Sequence, residues 1–242
     1  MVDGSRMKRR ILHTSDVHLS LLGDEACHSL KAVVSLAIKT EVDLVIIAGD
    51  LFDDNRVDDK LVNFTVEQLQ RLAVPVIILA GNHDCLTPES VFAREGLWKG
   101  CTNLRLFRAT RGEILDFPGL GISLWGRPID TYEHDVLPMA DIPKPEKNGH
   151  WHIAVAHGHY VGDGPPIFPS YHITHQEIIT SGWDYIALGH HPVFECIGNE
   201  PILACYSGSP SLSGKAVIVD LAEETGVQIS RYSIWESQEG II

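Results

Sequence analysis

Side chains that bind metals follow short apolar runs at several places along the chain. In chain order they are Asp16 and His18 after "ILHTS", Asp50 after "LVIIAG", Asn82 and His83 after "VIILAG", His157 after "HIAVA", and His190 after "YIALG". Polar groups at the ends of buried strands must be paired or bound to a cation, because burying them without a partner is unfavourable. Mixed imidazole and carboxylate ligands suit Mn²⁺, Fe²⁺ or Zn²⁺ better than Ca²⁺, which prefers oxygen ligands.

Each of these motifs also has an ordinary explanation when it is taken alone. D-x-H arises by chance, Asp50 could cap the next helix, and the G-N-H-D run at 81–84 could form a turn. His157 alone could be a simple strand-end histidine. Their ordered occurrence at five strand ends argues against a purely structural explanation of the whole set.

The first third of the chain alternates between strand and helix patterns. "RRILHTS", "DLVIIAGD" and "PVIILAGNHD" are strand candidates, because they are short, apolar and rich in branched residues. Apolar residues repeat at three- and four-residue steps in the segment around 30–38, which predicts a helix, and a second helix is expected over about 59–72. This β-α-β-α-β order predicts parallel strands whose carboxyl ends lie at one edge of a sheet.

The second half is dominated by short strand candidates separated by Gly, Pro and Ser. They are "GISLWG", "HIAVAH", "DYIALGH", "ILACYSG", "KAVIVDL" and "VQISRYSI". One helix is expected where Thr174 and Glu177 have the spacing of a capping box. Residues 161–172 are rich in Gly and Pro and are expected to form a long loop. The order of elements predicts an α/β protein with a mixed second sheet.

Composition narrows the class of protein. The 242 residues are 44% hydrophobic, no apolar run reaches the length of a membrane span, and the formal net charge is −13. Because binding to the phosphate backbone depends on Lys and Arg, this charge argues against a nonspecific DNA clamp. The five scattered cysteines predict reduced thiols in a cytoplasmic protein. We expect one domain over residues 1–242, with residues 1–8 disordered.

Together the motifs resemble those of the calcineurin-like metallophosphoesterases. D-x-H, G-D-x-x-D, G-N-H-D, a later strand-end histidine and a final G-H occur in that order. "ILHTSDVHL", "GDLFD", "AGNHD", "DYIALGH" and "YSGSP" are most similar to strings in the catalytic domain of Mre11/SbcD-type DNA repair exonucleases. The resemblance implies two facing mixed β-sheets flanked by helices, a four-layer α-β-β-α fold with the site at the strand ends.

The resemblance also implies a centre with two divalent metal ions. Its ligands would be Asp16 and His18 for the first ion, Asp50 as a bridge, and Asn82, His157 and His190 for the second ion. Manganese is the expected metal, with iron or zinc as alternatives. Such ions bind phosphate and activate water. His83 would be the general acid and Asp84 would orient its imidazole. Asp53 is expected on the substrate side rather than as a ligand.

The chain departs from the resemblance at one ligand position. The last motif of the family is G-H-x-H, but residues 189–192 read G-H-H-P, and Pro192 has no donor atom. His191 could replace the missing ligand, although neighbours in an extended segment point to opposite faces. Otherwise water or substrate could fill the position, or the first site could stay empty. We favour a weakened but usable first site. His159 is a further candidate for the cleft.

These observations predict an enzyme that hydrolyses phosphodiester bonds, and two substrate classes remain open. The resemblance favours DNA and a nuclease. The acidic charge favours a small-molecule substrate and a stand-alone phosphodiesterase or phosphatase. The chain stops soon after "KAVIVDL", so we expect the ATPase-binding segment of the exonuclease relatives to be absent. A third hypothesis is a non-catalytic metal-binding protein whose first site is degraded at Pro192.

Overall fold

The first of two large β-sheets contains most of the predicted α/β unit. The computed structural model describes residues 6–134, 136–162, 169–198 and 204–235. Strands β1–β4 of this sheet are parallel neighbours in that order, and β13 and β14 extend it antiparallel beside β1. Their bounds are β1 Arg9–Thr14, β2 Leu44–Ala48, β3 Val76–Leu79, β4 Leu104–Leu106, β13 Lys215–Ala222 and β14 Gly226–Ser233.

The second sheet faces the first and is also mixed. Its spatial order is β11-β12-β10-β7-β6-β5, in which the inner four strands are parallel and the two edge strands are antiparallel. The bounds are β5 Glu113–Phe117, β6 Ile122–Gly126, β7 Trp151–His157, β10 Tyr185–Gly189, β11 Glu195–Ile197 and β12 Ala204–Tyr206. A separate parallel pair is formed by β8 His159–Gly162 and β9 His172–Thr174.

Five α-helices lie within the described residues. They are α1 Glu25–Lys39, α2 Asp59–Leu69, α3 Glu95–Trp98, α4 His175–Ser181 and α5 Pro210–Ser213, with a 3₁₀ turn at Val91–Ala93. The predicted capping box at the start of α4 is present.

Helix α2 ends three residues before the predicted end. The side chain of Asn103 donates to the carbonyl oxygens of Leu69, Leu72 and Val74, which satisfies the backbone where the helix stops.

Alternating side chains divide the protein into layers. In β2, Leu44, Ile46 and Ala48 pack between the two sheets, whereas Val45 and Ile47 pack toward α1 and α2. The far side of the second sheet packs against α4. The predicted arrangement of two facing mixed sheets flanked by helices is therefore confirmed. No helix among the described residues combines the length and the apolar character needed to cross a membrane.

Two segments that were expected to be irregular make specific contacts. Within the segment 1–8, the Arg6 guanidinium contacts the Asp184 carboxylate at 2.8 Å and Trp151 donates to the Met7 carbonyl at 2.8 Å; residues 1–5 lie outside the described residues. The segment expected to be a loop over 161–172 contributes its ends to β8 and β9, and its residues 163–168 lie outside the described part.

The prediction that all five cysteines are reduced thiols is wrong for one pair. Cys196 and Cys205 form a disulfide between β11 and β12. The two residues are directly opposed in the antiparallel register, and their Cα atoms are 4.1 Å apart. Cys27, Cys85 and Cys101 are free and buried.

Candidate metal centre

The carboxyl ends of five strands meet at one edge of the sheets. Backbone bonds hold the loops beyond β1 and β2 together, because the Asp16 N–H donates to the Gly49 carbonyl and the His18 N–H to the Asp50 carbonyl, both at 3.1 Å. The His190 N–H reaches across from the second sheet to the Asp16 carboxylate at 3.2 Å. The structure thereby brings together all six residues that we predicted as ligands: Asp16, His18, Asp50, Asn82, His157 and His190.

Backbone strain is concentrated at this edge. Six described residues other than glycine have positive φ, and four of them are in the predicted ligand set: Asp16 (53°), His18 (55°), Asp50 (51°) and His190 (100°). A side chain in this region costs of order 1–3 kcal/mol and persists only where the surroundings fix it. The loops are therefore folded to place particular side chains at the expense of local stability.

Two glycines make the close packing of these loops possible. A Cβ atom on Gly49 would lie 2.0 Å from His157 Nδ1, and one on Gly81 would lie 2.2 Å from Asp50 Oδ1. Gly49 also has φ +93°, a conformation that other residues rarely adopt. The His157 imidazole occupies the space that a side chain at position 49 would fill, and the Asp50 carboxylate occupies the space of a side chain at position 81.

The first group of candidate ligands contains Asp16, His18 and Asp50. His18 Nε2 lies 4.0 Å from Asp16 Oδ1 and 3.9 Å from Asp50 Oδ2. Both carboxylates are 2% exposed. Among the described residues, no lysine or arginine forms an ion pair with either of them. Two buried carboxylates that have no lysine or arginine partner fit a cation between them and the imidazole.

The second group is formed around His157, which is completely buried. His157 Nδ1 donates to the Ala48 carbonyl at 2.9 Å, so the lone pair of a neutral imidazole is on Nε2. That nitrogen faces Asn82 Oδ1 at 3.0 Å and Asp50 Oδ2 at 3.2 Å, and His190 Nδ1 lies 2.9 Å from the same Asn82 oxygen. One amide oxygen, one carboxylate oxygen and two imidazole nitrogens face one another at these distances, so these residues also fit a bound cation.

The pKa values of His157, Asp50 and His190 indicate that these residues favour one positive charge among them. Burial alone would lower the pKa of His157, but the Asp50 carboxylate outweighs it and raises that pKa to about 9. Burial would raise the pKa of Asp50, but the charge on His157 holds it below its usual range. Burial, reinforced by the nearby His157, lowers the pKa of His190 to about 4. One positive charge stabilises the group, and either a proton or a metal ion can supply it.

His83 lies beside the first group, but the prediction that Asp84 orients it is wrong. His83 Nδ1 instead donates to the Asp53 carbonyl at 2.9 Å and lies 3.5 Å from the Asp53 carboxylate. The Asp84 carboxylate is fully buried and accepts from the backbone N–H groups of Phe52 (3.1 Å) and Gly81 (2.8 Å). Burial, together with Asp50, raises the pKa of Asp84 to about 7. Asp84 therefore fastens two loops to each other.

The decisive comparison is with a protein-family model. The model described as calcineurin-like phosphoesterase matches residues 9–229, which include every candidate ligand. This chain belongs to the calcineurin-like phosphoesterase family. Members of the family are metal-dependent phosphoester hydrolases, and the matched residues include both groups of candidate ligands.

Several individual proteins are similar to this calcineurin-like phosphoesterase chain. It is 26% identical over 209 residues to the uncharacterized metallophosphoesterase YhaO of Bacillus subtilis, covering 82% of this chain and 48% of that protein. It is 34% identical over 87 residues to the DNA double-strand break repair protein Mre11 of Sulfurisphaera tokodaii, covering 32% of this chain and 22% of that one. The chain thus spans about half the length of the first relative and less of the second.

A solved structure supports the fold independently. The crystal structure of TT1561 of Thermus thermophilus superposes with a TM-score of 0.62 at 13% identity, and the match covers 95% of this chain and 100% of that one. At this identity the likeness concerns the fold alone.

Pro192 stands where the resemblance to the family implies a metal ligand. Pro192 is exposed, and its carbonyl accepts from the Ser209 N–H at 2.9 Å. His191, our candidate replacement ligand, lies with Nδ1 3.2 Å from the Val193 carbonyl and its ring against Tyr206, so the structure does not bring it to the first group. The ring of His159 lies 6.3 Å from the ring of His190, beside the second group of candidate ligands.

Ser15, which supports the site, was not identified in the sequence, and the contacts of Asp53 were not predicted. The Ser15 hydroxyl donates to Asp16 Oδ2 and lies 2.8 Å from the Ser207 hydroxyl, and all three residues are buried. Asp53 reaches His18 Nδ1 with its carboxylate at 3.1 Å, so one residue contacts both His18 and His83. The strings "YSGSP" and "GDLFD" contain Ser207 and Asp53. The sequence does not show which atoms these residues contact, because the contacts depend on how the loops are folded.

Proposed function

We propose that this chain hydrolyses phosphodiester bonds at a centre of two divalent ions, with Mn²⁺ as the preferred metal. The observation that carries this proposal is the position of Asp50. Its carboxylate is 3.9 Å from His18 Nε2 in the first group and 3.2 Å from His157 Nε2 in the second. A single carboxylate between two ligand groups is suited to bridge two ions, as the sequence motifs predict.

The proposed mechanism assigns separate tasks to the side chains. Two bound ions would supply the positive charge that holds the phosphate and lowers the pKa of the attacking water. Asp16 and His18 would bind the first ion, and Asn82, His157 and His190 the second. His83 donates from Nδ1 to the Asp53 carbonyl, which leaves Nε2 to carry the proton that the leaving oxygen needs. Its side chain is 44% exposed, so a substrate can reach it.

The first ion would keep an open coordination position. Pro192 provides no ligand atom, and His191 faces Val193 and Tyr206 instead. Asp53 stiffens the remaining imidazole ligand, because its carboxylate accepts from His18 Nδ1 and so directs Nε2 toward Asp16 and Asp50. We infer a first site that is exchangeable but usable.

A small phosphodiester is the substrate class we favour. The net charge of −13 opposes long polyanions, and the rim residue Arg56 is already paired with Asp54 at 2.6 Å. A nuclease is the second candidate, favoured by the identity with Mre11 over 87 residues.

A substrate panel with Mn²⁺ tests the proposal. We expect hydrolysis of bis-p-nitrophenyl phosphate and of a dinucleoside monophosphate to exceed hydrolysis of p-nitrophenyl phosphate and of linear DNA. In His83→Ala, the rate with the dinucleoside should fall about 100-fold or more, because its alkoxide needs a proton, and the p-nitrophenolate diester should lose less. His28→Ala, at an exposed position of α1, is the control.

Each result has a distinct meaning. Equal rates of His83→Ala and the unsubstituted protein on both diesters would contradict the general-acid assignment. Faster cleavage of linear DNA than of the small diesters would support the nuclease. No hydrolysis of any substrate by a chain that binds metal would support a non-catalytic metal-binding protein.

A further inference from the structure

The loop that follows β6 is tied to the loop that carries His83. The Ile129 N–H donates to the Ala80 carbonyl at 3.1 Å, and the Leu86 N–H donates to the Ile129 carbonyl at 2.7 Å. Tyr132 comes three residues after Ile129. Tyr132 is therefore held near the loop that carries His83.

The Tyr132 hydroxyl is anchored between two loops of the site. Asn55 Nδ2 donates to it at 3.0 Å, and the same nitrogen also donates to the Cys85 carbonyl at 2.9 Å. Asn55 comes two residues after Asp53, and Cys85 comes two residues after His83. Since two residues span at most about 7 Å, each anchor is close to a residue of the site.

The ring of Tyr132 is exposed although its hydroxyl is fixed. The residue is 57% exposed, whereas its partner Asn55 is buried and is itself held by the Val91 N–H at 2.9 Å. The preceding carbonyl, of Thr131, accepts from the Tyr171 hydroxyl at 3.2 Å. An aromatic face held in one orientation loses little conformational entropy when a ligand covers it.

Arg56, a basic residue that interacts with Tyr132, is already paired with Asp54 at 2.6 Å. Stacking on an aromatic face binds planar rings of any base or aryl group and needs no basic side chain. This suits a chain whose net charge repels extended polyanions.

We propose that Tyr132 forms the wall of a leaving-group subsite, which selects phosphoesters whose leaving group carries a planar ring such as a nucleobase or an aryl group. The inference rests on the proposed function, because it takes the side of His83 as the leaving-group side. It adds a substrate class that the metal ligands do not specify.

Calorimetric binding of two phosphonates to the Mn²⁺-loaded protein tests the subsite. Phenylphosphonate and methylphosphonate carry the same anionic group, and neither C–P bond is cleaved at such a centre. We expect phenylphosphonate to bind at least about 5-fold more tightly. Tyr132→Ala should reduce the ratio of the two dissociation constants to nearly one, and Tyr132→Phe should retain most of it. Tyr232→Ala, on β14 in the first sheet, is the control.

The outcomes separate the subsite from the catalytic proposal. An unchanged ratio in Tyr132→Ala, or no preference in the unsubstituted protein while bis-p-nitrophenyl phosphate is still hydrolysed, would overturn the subsite alone. Binding of neither phosphonate together with no hydrolysis would overturn both proposals. Equal losses for the two phosphonates in Tyr132→Ala would show a general disturbance of the site and would also overturn the subsite.

Discussion

Individual residues of the centre adopt conformations that only their neighbours make tolerable. Asp16, His18, Asp50 and His190 have positive φ, and the carboxylates of Asp16 and Asp50 are buried with no lysine or arginine partner among the described residues. Positive φ and the burial of a carboxylate are each unfavourable in isolation. A bound cation would offset the burial of the two carboxylates. The functional residues therefore depend on small neighbours that leave them room.

Gly81 is the neighbour whose replacement tests this dependence most simply. Its φ is not positive, so Gly81→Ala acts through the Cβ, which would lie 2.2 Å from Asp50 Oδ1 and 2.6 Å from the Asp50 nitrogen. We expect Mn²⁺ affinity to fall at least about 10-fold, because the carboxylate must move. Gly119→Ala has no atom within 4 Å of its Cβ and should bind Mn²⁺ as the unsubstituted protein does. Equal affinities of the two variants by calorimetry would contradict this account.

Residue types were predictable at this scale, but contacts between side chains were not. Strand-end motifs in the sequence predict the six candidate ligands, and the structure gathers them at one edge. The sequence does not reveal that Asp84 accepts from Phe52 and Gly81 while Asp53 contacts His83. Such partners are set by the path of two loops that meet only in the folded chain.

At the scale of elements, periodicity identified the long strands and helices but missed several of the short strands. Strand β2 and helix α1 bury continuous or periodic apolar faces, so their patterns are visible locally. Strands β8, β9 and β11 contain only three or four residues and depend on partners from other segments. The Cys196–Cys205 disulfide was missed for the same reason, because it depends on the register of β11 against β12.

A buried histidine links the two sheets and should make stability depend on pH. His13 in β1 is fully buried, and its Nδ1 accepts from the hydroxyl of Tyr185 in β10 at 2.9 Å. Burial lowers the pKa of His13 from 6.5 to about 3. The unfolded chain therefore binds a proton more readily. This contribution to stability is complete above pH 6.5 and is lost as the pH falls toward 3.

The variant His13→Asn measures this effect. It keeps an acceptor for Tyr185 but cannot titrate, so its free energy of unfolding should fall by about 2 kcal/mol less between pH 7.5 and pH 5 than that of the unsubstituted protein. Urea unfolding of the chelator-treated protein at both pH values supplies the numbers. His28→Asn, at an exposed position, should follow the unsubstituted protein. Parallel pH dependence of His13→Asn and the unsubstituted protein would show that His13 is not the responsible group.

For the whole molecule, the order of elements predicted an α/β protein with a mixed second sheet, because few arrangements fit that order. The family resemblance implied the layers. The composition also predicted the acidic surface, since net charge needs no structure. The substrate is not fixed by either property, because the same fold and the same ligands accept many phosphoesters. Selection among them falls to rim residues such as Tyr132, whose position is known only from the folded chain.

Metal stoichiometry after Mn²⁺ loading and removal of unbound ion is the measurement that tests the two-ion centre most directly. We predict two ions per chain by elemental analysis. Asp50→Asn should lose both ions, because Asp50 faces both ligand groups, whereas Asp141→Asn, at an exposed position with similar φ, should keep both. One ion per chain would show that Pro192 abolishes the first site, and no bound ion would contradict the metal centre altogether.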